Sequence, residues 1–240
     1  MIVPMEQTPT PKLPEQPTEQ THTVAPESTP PEAKHTYTST DKDTKPRRFT
    51  GAKAFLSVLA FVAGIVIAAT LINQFVFQSY YVDGTSMTPT LHNNDRLIID
   101  KVERTVSMVE GKHYIPNRGQ IVVLDSSLVD QSGRSEQLIK RVIGLPGDTI
   151  TIDNGIVTIK NKDNPNGFNV NESLGLKLDP TFTETPPLTT TIGDNQIFVM
   201  GDNRGPGGSF DSRSFGAVDS DKIQGRLLAR IFPLNQTKLF

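Results

Sequence analysis

The chain has no cysteine, which excludes disulfides, a cysteine nucleophile and thiolate metal sites while leaving the compartment open. It has four histidines, His22, His35, His92 and His113, and the first two lie in a polar tail, so a multi-histidine metal centre has too few ligands. The formal net charge is −2, which gives no general case for binding nucleic acid. Apolar clusters are nearly missing from the first fifty residues, which hold nine of the 18 prolines and eleven threonines. Such a segment buries too little surface to offset the entropy of ordering it, and residues 1–50 are expected to be a disordered Pro/Thr-rich tail.

Charged residues are absent from Ala54 to Val82, and "AFLSVLAFVAGIVIAATLI" supplies nineteen residues broken only by Ser57, Gly64 and Thr70. That length predicts one transmembrane helix over residues 54–78. A cleaved secretory signal would have a shorter apolar stretch near residue 1. Lys42, Lys45, Arg47, Arg48 and Lys53 precede the helix, and the first Lys or Arg after it is Arg96. This asymmetry predicts a cytoplasmic N-terminus and an extracytoplasmic domain over 79–240, entered through the interfacial aromatics Phe75, Phe77, Tyr80 and Tyr81.

The remainder reads as mainly β. "RLIIDKV", "QIVVL", "QLIKRVIGL", "DTITI", "IVTIK", "QIFVM" and "GRLLARIF" are short, rich in β-branched residues and separated by Gly, Pro, Asn and Asp. In "DTITIDNGIVTIK", Asn154 and Gly155 predict a hairpin with a type I′ turn. The polar, Pro-rich stretch 161–195 reads as an insertion on this domain.

Chemistry is suggested by "GTSMTPTL", residues 84–91. A serine hydroxyl needs a neighbouring base to become a nucleophile. His92 is close in sequence, but the surroundings lack the α/β pattern of a nucleophile elbow, and a surface or packing role is expected for it. In "QLIKRVIGLPGD", alternation puts Lys140 with Leu138 and Val142 on one face of a strand, opposite Ile139, Arg141 and Ile143. A lysine desolvated among aliphatic side chains loses its proton more readily and can serve as a base. Taken alone, this stretch favours the other reading, a lysine that snorkels to water at a strand edge as most lysines do.

The blocks together resemble the bacterial type I signal peptidases, membrane-anchored Ser/Lys proteases. The nucleophile block is "SMTPTL", from Ser86, and the lysine block is "KRVIGLPGD", from Lys140. "RGQIVVL" resembles a further block, with Gln120 where an aspartate is usual, and "GDNR" followed by "SFDSR" resembles the last one, ending at Arg213. The resemblance spans about residues 54–240. It implies a signal-peptidase-like β catalytic domain in which Ser86 attacks a preprotein and Lys140 is the general base. It also implies that Ser209 orients Lys140, and that Asp211 and Arg213 form a structural ion pair near Arg141. Some members carry a hydroxyl at the position of Gly84, which would have helped to hold the oxyanion. The "GPGG" segment, residues 205–208, places two extra residues before Ser209.

The implied partners are preproteins with signal peptides and the lipid bilayer of a bacterial plasma membrane, with no nucleic acid, no metal and no organic cofactor. Met87, beside the nucleophile, reads either as a substrate contact or as a core residue. A repressor-type Ser/Lys protease would need a DNA-binding module, and a sortase would need a cysteine. A non-catalytic membrane-tethered binding domain is the remaining alternative.

Overall fold

The computed structural model describes residues 2–4, 51–129, 135–184 and 186–240. Helix α1, Gly51–Phe75, carries the apolar run. Its Lys53–Phe75 portion has a mean hydropathy of 2.7, and none of it is buried in the protein. At 1.5 Å per residue a helix of this length reaches about 37 Å, enough to cross hydrocarbon. The helix stops at Phe75, short of the expected residue 78. The aromatic and β-branched run "FQSYYV" instead forms strand β2, Phe77–Val82, while the Val76 carbonyl is taken by the Lys101 N–H. Tyr80, expected at a membrane interface, is a core residue.

Strands β3 (Arg96–Asp100), β4 (Ile121–Val129), β5 (Ser135–Gly144), β6 (Thr149–Asp153) and β7 (Ile156–Lys160) follow, with helix α2, Val102–Val109, between β3 and β4. They are succeeded by β8 (Phe168–Asn169), the short helix α3 (Val170–Ser173), β9 (Leu188–Thr191), β10 (Gln196–Met200), helix α4 (Ser212–Phe215), β11 (Val218–Asp219), β12 (Ile223–Phe232) and β13 (Lys238–Leu239). The fold is mainly β, as the strand-length apolar runs require. Strand β1, Ile2–Pro4, begins the large sheet, whose order is β1-β2-β3-β12-β4-β5-β10-β11, with β13 on β12. Because β1 also pairs with β5, it bridges β2 and β5: Ile2 faces both Val82 and Gln137. The rest of the predicted disordered tail, residues 1 and 5–50, lies outside the described residues.

The hairpin reading holds. Asn154 and Gly155 have φ of 48° and 80°, as a type I′ turn demands, and Asp153 pairs with Ile156. The stretch 161–195 is more than a polar excursion, because it supplies β8 and β9, the outer strands of a second sheet ordered β8-β7-β6-β9. Its Val170 and Ile192 join Ile150, Ile152, Val157 and Ile159 in one apolar cluster.

Alternation along β5 separates two further cores. Leu138 and Val142 pack with Val122, Leu124 and Val199, and Ile139 packs with Ile121, Val123, Met87 and Leu91. Lys140 thus lies on a central strand with apolar layers on both sides, paired with Val122 of β4. That position decides its environment before any contact with Ser86 is considered.

Candidate active site

Ser86 follows β2 on a turn. Thr88 N donates to Thr85 O at 3.2 Å, and Leu91 N donates to Met87 O at 2.9 Å. Buried Met87 and Leu91 anchor this turn in the core, which resolves Met87 as a packing residue. Across the turn, Lys140 Nζ and Ser86 Oγ stand 2.8 Å apart. Lys140 is 1% exposed, and its pKa falls from 10.5 to about 8. Burial is the leading cause, since removing an ammonium from water favours the neutral amine. Asp211 opposes that shift and Arg213 assists it. In the neutral amine the nitrogen lone pair accepts the Ser86 O–H, the geometry of a base beside a nucleophile.

The Ser86 backbone is held on its other side. Its carbonyl accepts the Asn203 N–H at 3.1 Å, and Asn203 Nδ2 donates to Thr85 O at 3.3 Å. Gly201 leaves space for this approach: a Cβ there would stand 2.3 Å from both Ser86 O and Ser209 Oγ. Gly201 is itself pinned, its N–H donating to Asp211 Oδ2 and its carbonyl accepting from Arg204 Nε, both at 2.8 Å. The Ser86 N–H donates to no acceptor among the described residues, so it is available to a developing oxyanion.

Gly84 has φ of +111°, a conformation that residues with a Cβ rarely adopt. Its N–H is occupied by Asn93 Oδ1 at 2.8 Å. A hydroxyl side chain at this position would strain the backbone, which accounts for the glycine.

The model of the family "Signal peptidase, peptidase S26" matches residues 55–232. Signal peptidase I of Bacillus amyloliquefaciens is 35% identical over 187 residues, covering 76% of this chain and 92% of its own. Signal peptidase I S of Bacillus subtilis is 34% identical, covering 76% and 93%. The chain belongs to the signal peptidase I family. A crystal structure of a signal peptidase I from Enterococcus faecalis, 25% identical, covers 48% of this chain and 99% of its own with a TM-score of 0.34. Members of this family are serine endopeptidases that remove signal peptides.

Within this signal peptidase fold, the expected Asp211–Arg213 ion pair forms, with Arg213 Nη2 to Asp211 Oδ2 at 2.8 Å. Burial pushes the Asp211 carboxyl up, but the Arg213 guanidinium and the Gly201 N–H outweigh it and hold the group below its usual value. Arg141 has a separate partner: its guanidinium grips Asp202, with Nε to Oδ1 at 2.8 Å, and donates to Gly119 O at 2.7 Å. Asp202 also accepts the Thr90 hydroxyl at 2.5 Å, tying the nucleophile turn to β5.

Ser209 departs from its expected role. It makes no hydrogen bond to Lys140, and its buried Oγ sits beside Asp211 without a bond of good geometry. The "GPGG" segment closes a turn in which Gly208 N donates to Gly205 O at 3.1 Å and Gly208 packs on Asn203, and Ser209 Oγ and Ser86 O lie on the same side of Gly201. His92 is exposed, and its backbone N–H is bound to Asp95. Gln120 caps a turn, its Oε1 accepting the Asn117 N–H at 2.9 Å.

Sequence reasoning gave no roles to Gly201, Asp202, Asn203 and Arg204, although "GDNR" was in view. The Asn203 contact to Ser86, the Arg204 contact to Gly201 and the Asp202 contact to Arg141 leave no trace in residue spacing. The insertion also takes part: Arg204 Nη1 donates to Thr181 Oγ1, and Arg213 Nη1 donates to Phe182 O. Asp211→Ala would leave the Arg213 guanidinium buried and unpaired. An unfolding free energy lower by about 3–5 kcal/mol is expected, measurable by chemical denaturation.

Proposed function

We propose that the protein is a membrane-bound signal peptidase in which Ser86 is the nucleophile and Lys140 the general base. The observation that carries this reading is the 2.8 Å approach of a buried, readily neutralised amine to a serine hydroxyl. Ser86 Oγ attacks the scissile carbonyl carbon as Lys140 Nζ takes the hydroxyl proton, and the Ser86 N–H stabilises the resulting oxyanion. The C–N bond breaks as Lys140 returns the proton to the leaving amine, which is the new N-terminus of the mature protein. Lys140 then deprotonates a water that attacks the acyl-enzyme ester, freeing the signal peptide's carboxylate and restoring Ser86.

The space between β2 and β5 supports an extended peptide substrate. Those strands present backbone groups that β1 uses here, Ile2–Pro4 running antiparallel to both. In a chain inserted with its tail inside and its domain outside, the tail and the domain are on opposite sides of the bilayer, and the slot is open to a preprotein. Addition of a strand supplies affinity through main-chain hydrogen bonds and selects side chains through pockets. The orientation rests on Lys42, Lys45, Arg47 and Arg48 ahead of α1 and Lys53 in its first turn, and the anchor confines enzyme and substrate to one surface.

The test is cleavage of a preprotein by the full chain in detergent, with the cut mapped by mass and Ser86→Ala alongside. A single cut after a small-x-small sequence is expected, lost in Ser86→Ala. Below pH 8, kcat/KM should rise about tenfold per pH unit and level off above it, as one group must lose a proton to act. Cleavage retained by Ser86→Ala, or a rate flat from pH 6 to 9, would overturn the mechanism.

A further inference from the structure

Helix α2 is amphipathic with its apolar stripe turned away from the protein. None of its residues is buried. Val102, Val106 and Val109 are 40%, 49% and 85% exposed. At 100° per residue they share an arc of about 60°. The opposite sense would be ordinary, since a surface helix normally turns its apolar face to the core. Here Glu103, off that stripe, is itself exposed and pairs with Arg226 of β12 at 3.2 Å.

The location of this stripe identifies what covers it. Thr105, beside the stripe, donates its hydroxyl to the carbonyl of Phe75, the last residue of α1, at 2.9 Å. The Lys101 N–H, just before α2, binds Val76 O at 2.8 Å. The helix is therefore fastened to the point where the apolar span ends. The exposed rings of Phe75 and Phe77 lie at the same junction.

We infer that α2 lies in the interfacial layer of the bilayer, with Val102, Val106 and Val109 directed towards the acyl chains. This rests on the reading that α1 crosses the membrane. A helix with one apolar and one charged face is suited to that zone, where burial of the apolar side is favourable and the polar side stays hydrated or paired. One exit point leaves a domain free to swivel about its anchor. A second contact fixes the facing of the slot between β2 and β5, and with it the approach of a membrane-held substrate to Ser86.

The absence of cysteine makes single labels unambiguous. Val106→Cys, Ile65→Cys in α1 and Lys162→Cys on the exposed second sheet side would each carry an environment-sensitive fluorophore. The full chain is then reconstituted in phosphatidylcholine and phosphatidylglycerol vesicles with or without brominated acyl chains. The expected result is strong quenching at 65 and 106 and none at 162. Quenching at 65 without quenching at 106 overturns the inference and leaves the membrane reading standing. No quenching at 65 removes the span itself. A blue-shifted but unquenched label at 106 assigns the stripe to a second copy of the chain, which also overturns the inference. In function, Val106→Asp with Val109→Asp should slow cleavage of a vesicle-inserted preprotein several-fold while leaving cleavage of a short soluble peptide unchanged. Equal rates on both substrates would count against a positioning role.

Discussion

Replacing Lys140 with methionine is expected to abolish cleavage and, at the same time, to make the protein more stable. The loss of a general base costs about 10²–10⁴-fold in rate, and more where base and nucleophile act as a unit. The gain in stability follows from burial. The folded pKa of Lys140 is about 8 against 10.5 for an ordinary lysine. Below pH 8 both states are protonated, and the folded state carries the full cost of a desolvated ammonium, on the order of 3 kcal/mol. Between the two values the unfolded chain binds more proton than the folded one, so stability rises with pH and the cost fades as pH approaches 10.5. Methionine has a similar unbranched shape and no charge to desolvate. Thermal melts of both proteins at pH 6 and pH 10 should show a large gain for Lys140→Met at pH 6 and a small one at pH 10. A variant that is destabilised at pH 6, or a gain that does not change with pH, would contradict a buried, depressed amine.

Gly201→Ala should cost at least 10²-fold in kcat/KM in a protein that still folds. The added methyl would meet Ser86 O and Ser209 Oγ, each at 2.3 Å. The serine side chain can rotate away, but the Ser86 carbonyl is backbone held by the Asn203 N–H. Nor can residue 201 retreat, because Asp211 and Arg204 fix its N–H and its carbonyl. The strain must therefore move Ser86 relative to Lys140. A misplacement of about 1 Å can cost 10²-fold in rate, and overpacking costs about 1–3 kcal/mol in stability. Gly64→Ala, in α1 with no atom within 4 Å of the new Cβ, is the matched control and should be silent. Full activity in Gly201→Ala would mean that the nucleophile turn yields more freely than its hydrogen bonds imply.

The sequence was informative where a local pattern has a single physical outcome. Asn154 and Gly155 specify a turn because few other residues accept its positive φ angles. The run from Ala54 specifies an apolar helix because nothing in it offers a charge to water. The alternation around Lys140 set its apolar company, and the ordered blocks from Ser86 to Arg213 carried the family. It misled where long-range pairing competes with local character. The aromatics after Phe75 read as membrane interface, yet Tyr80 is drawn into the core by pairing with β3. Likewise, 161–195 reads as polar excursion, but its scattered apolar residues cover the β6–β7 hairpin.

By itself the sequence determined an apolar helix long enough to cross a membrane and the β class, because hydropathy and periodicity are properties of short segments, and its ordered blocks carried the resemblance that pairs Ser86 with Lys140. Only the tertiary structure decided that Ser86 and Lys140 meet at 2.8 Å, that Asp202 is the partner of Arg141, and that Ser209 Oγ makes no hydrogen bond to the lysine. Each of these depends on the approach of segments more than fifty residues apart, where the packing of whole strands sets distances that no spacing in the chain records.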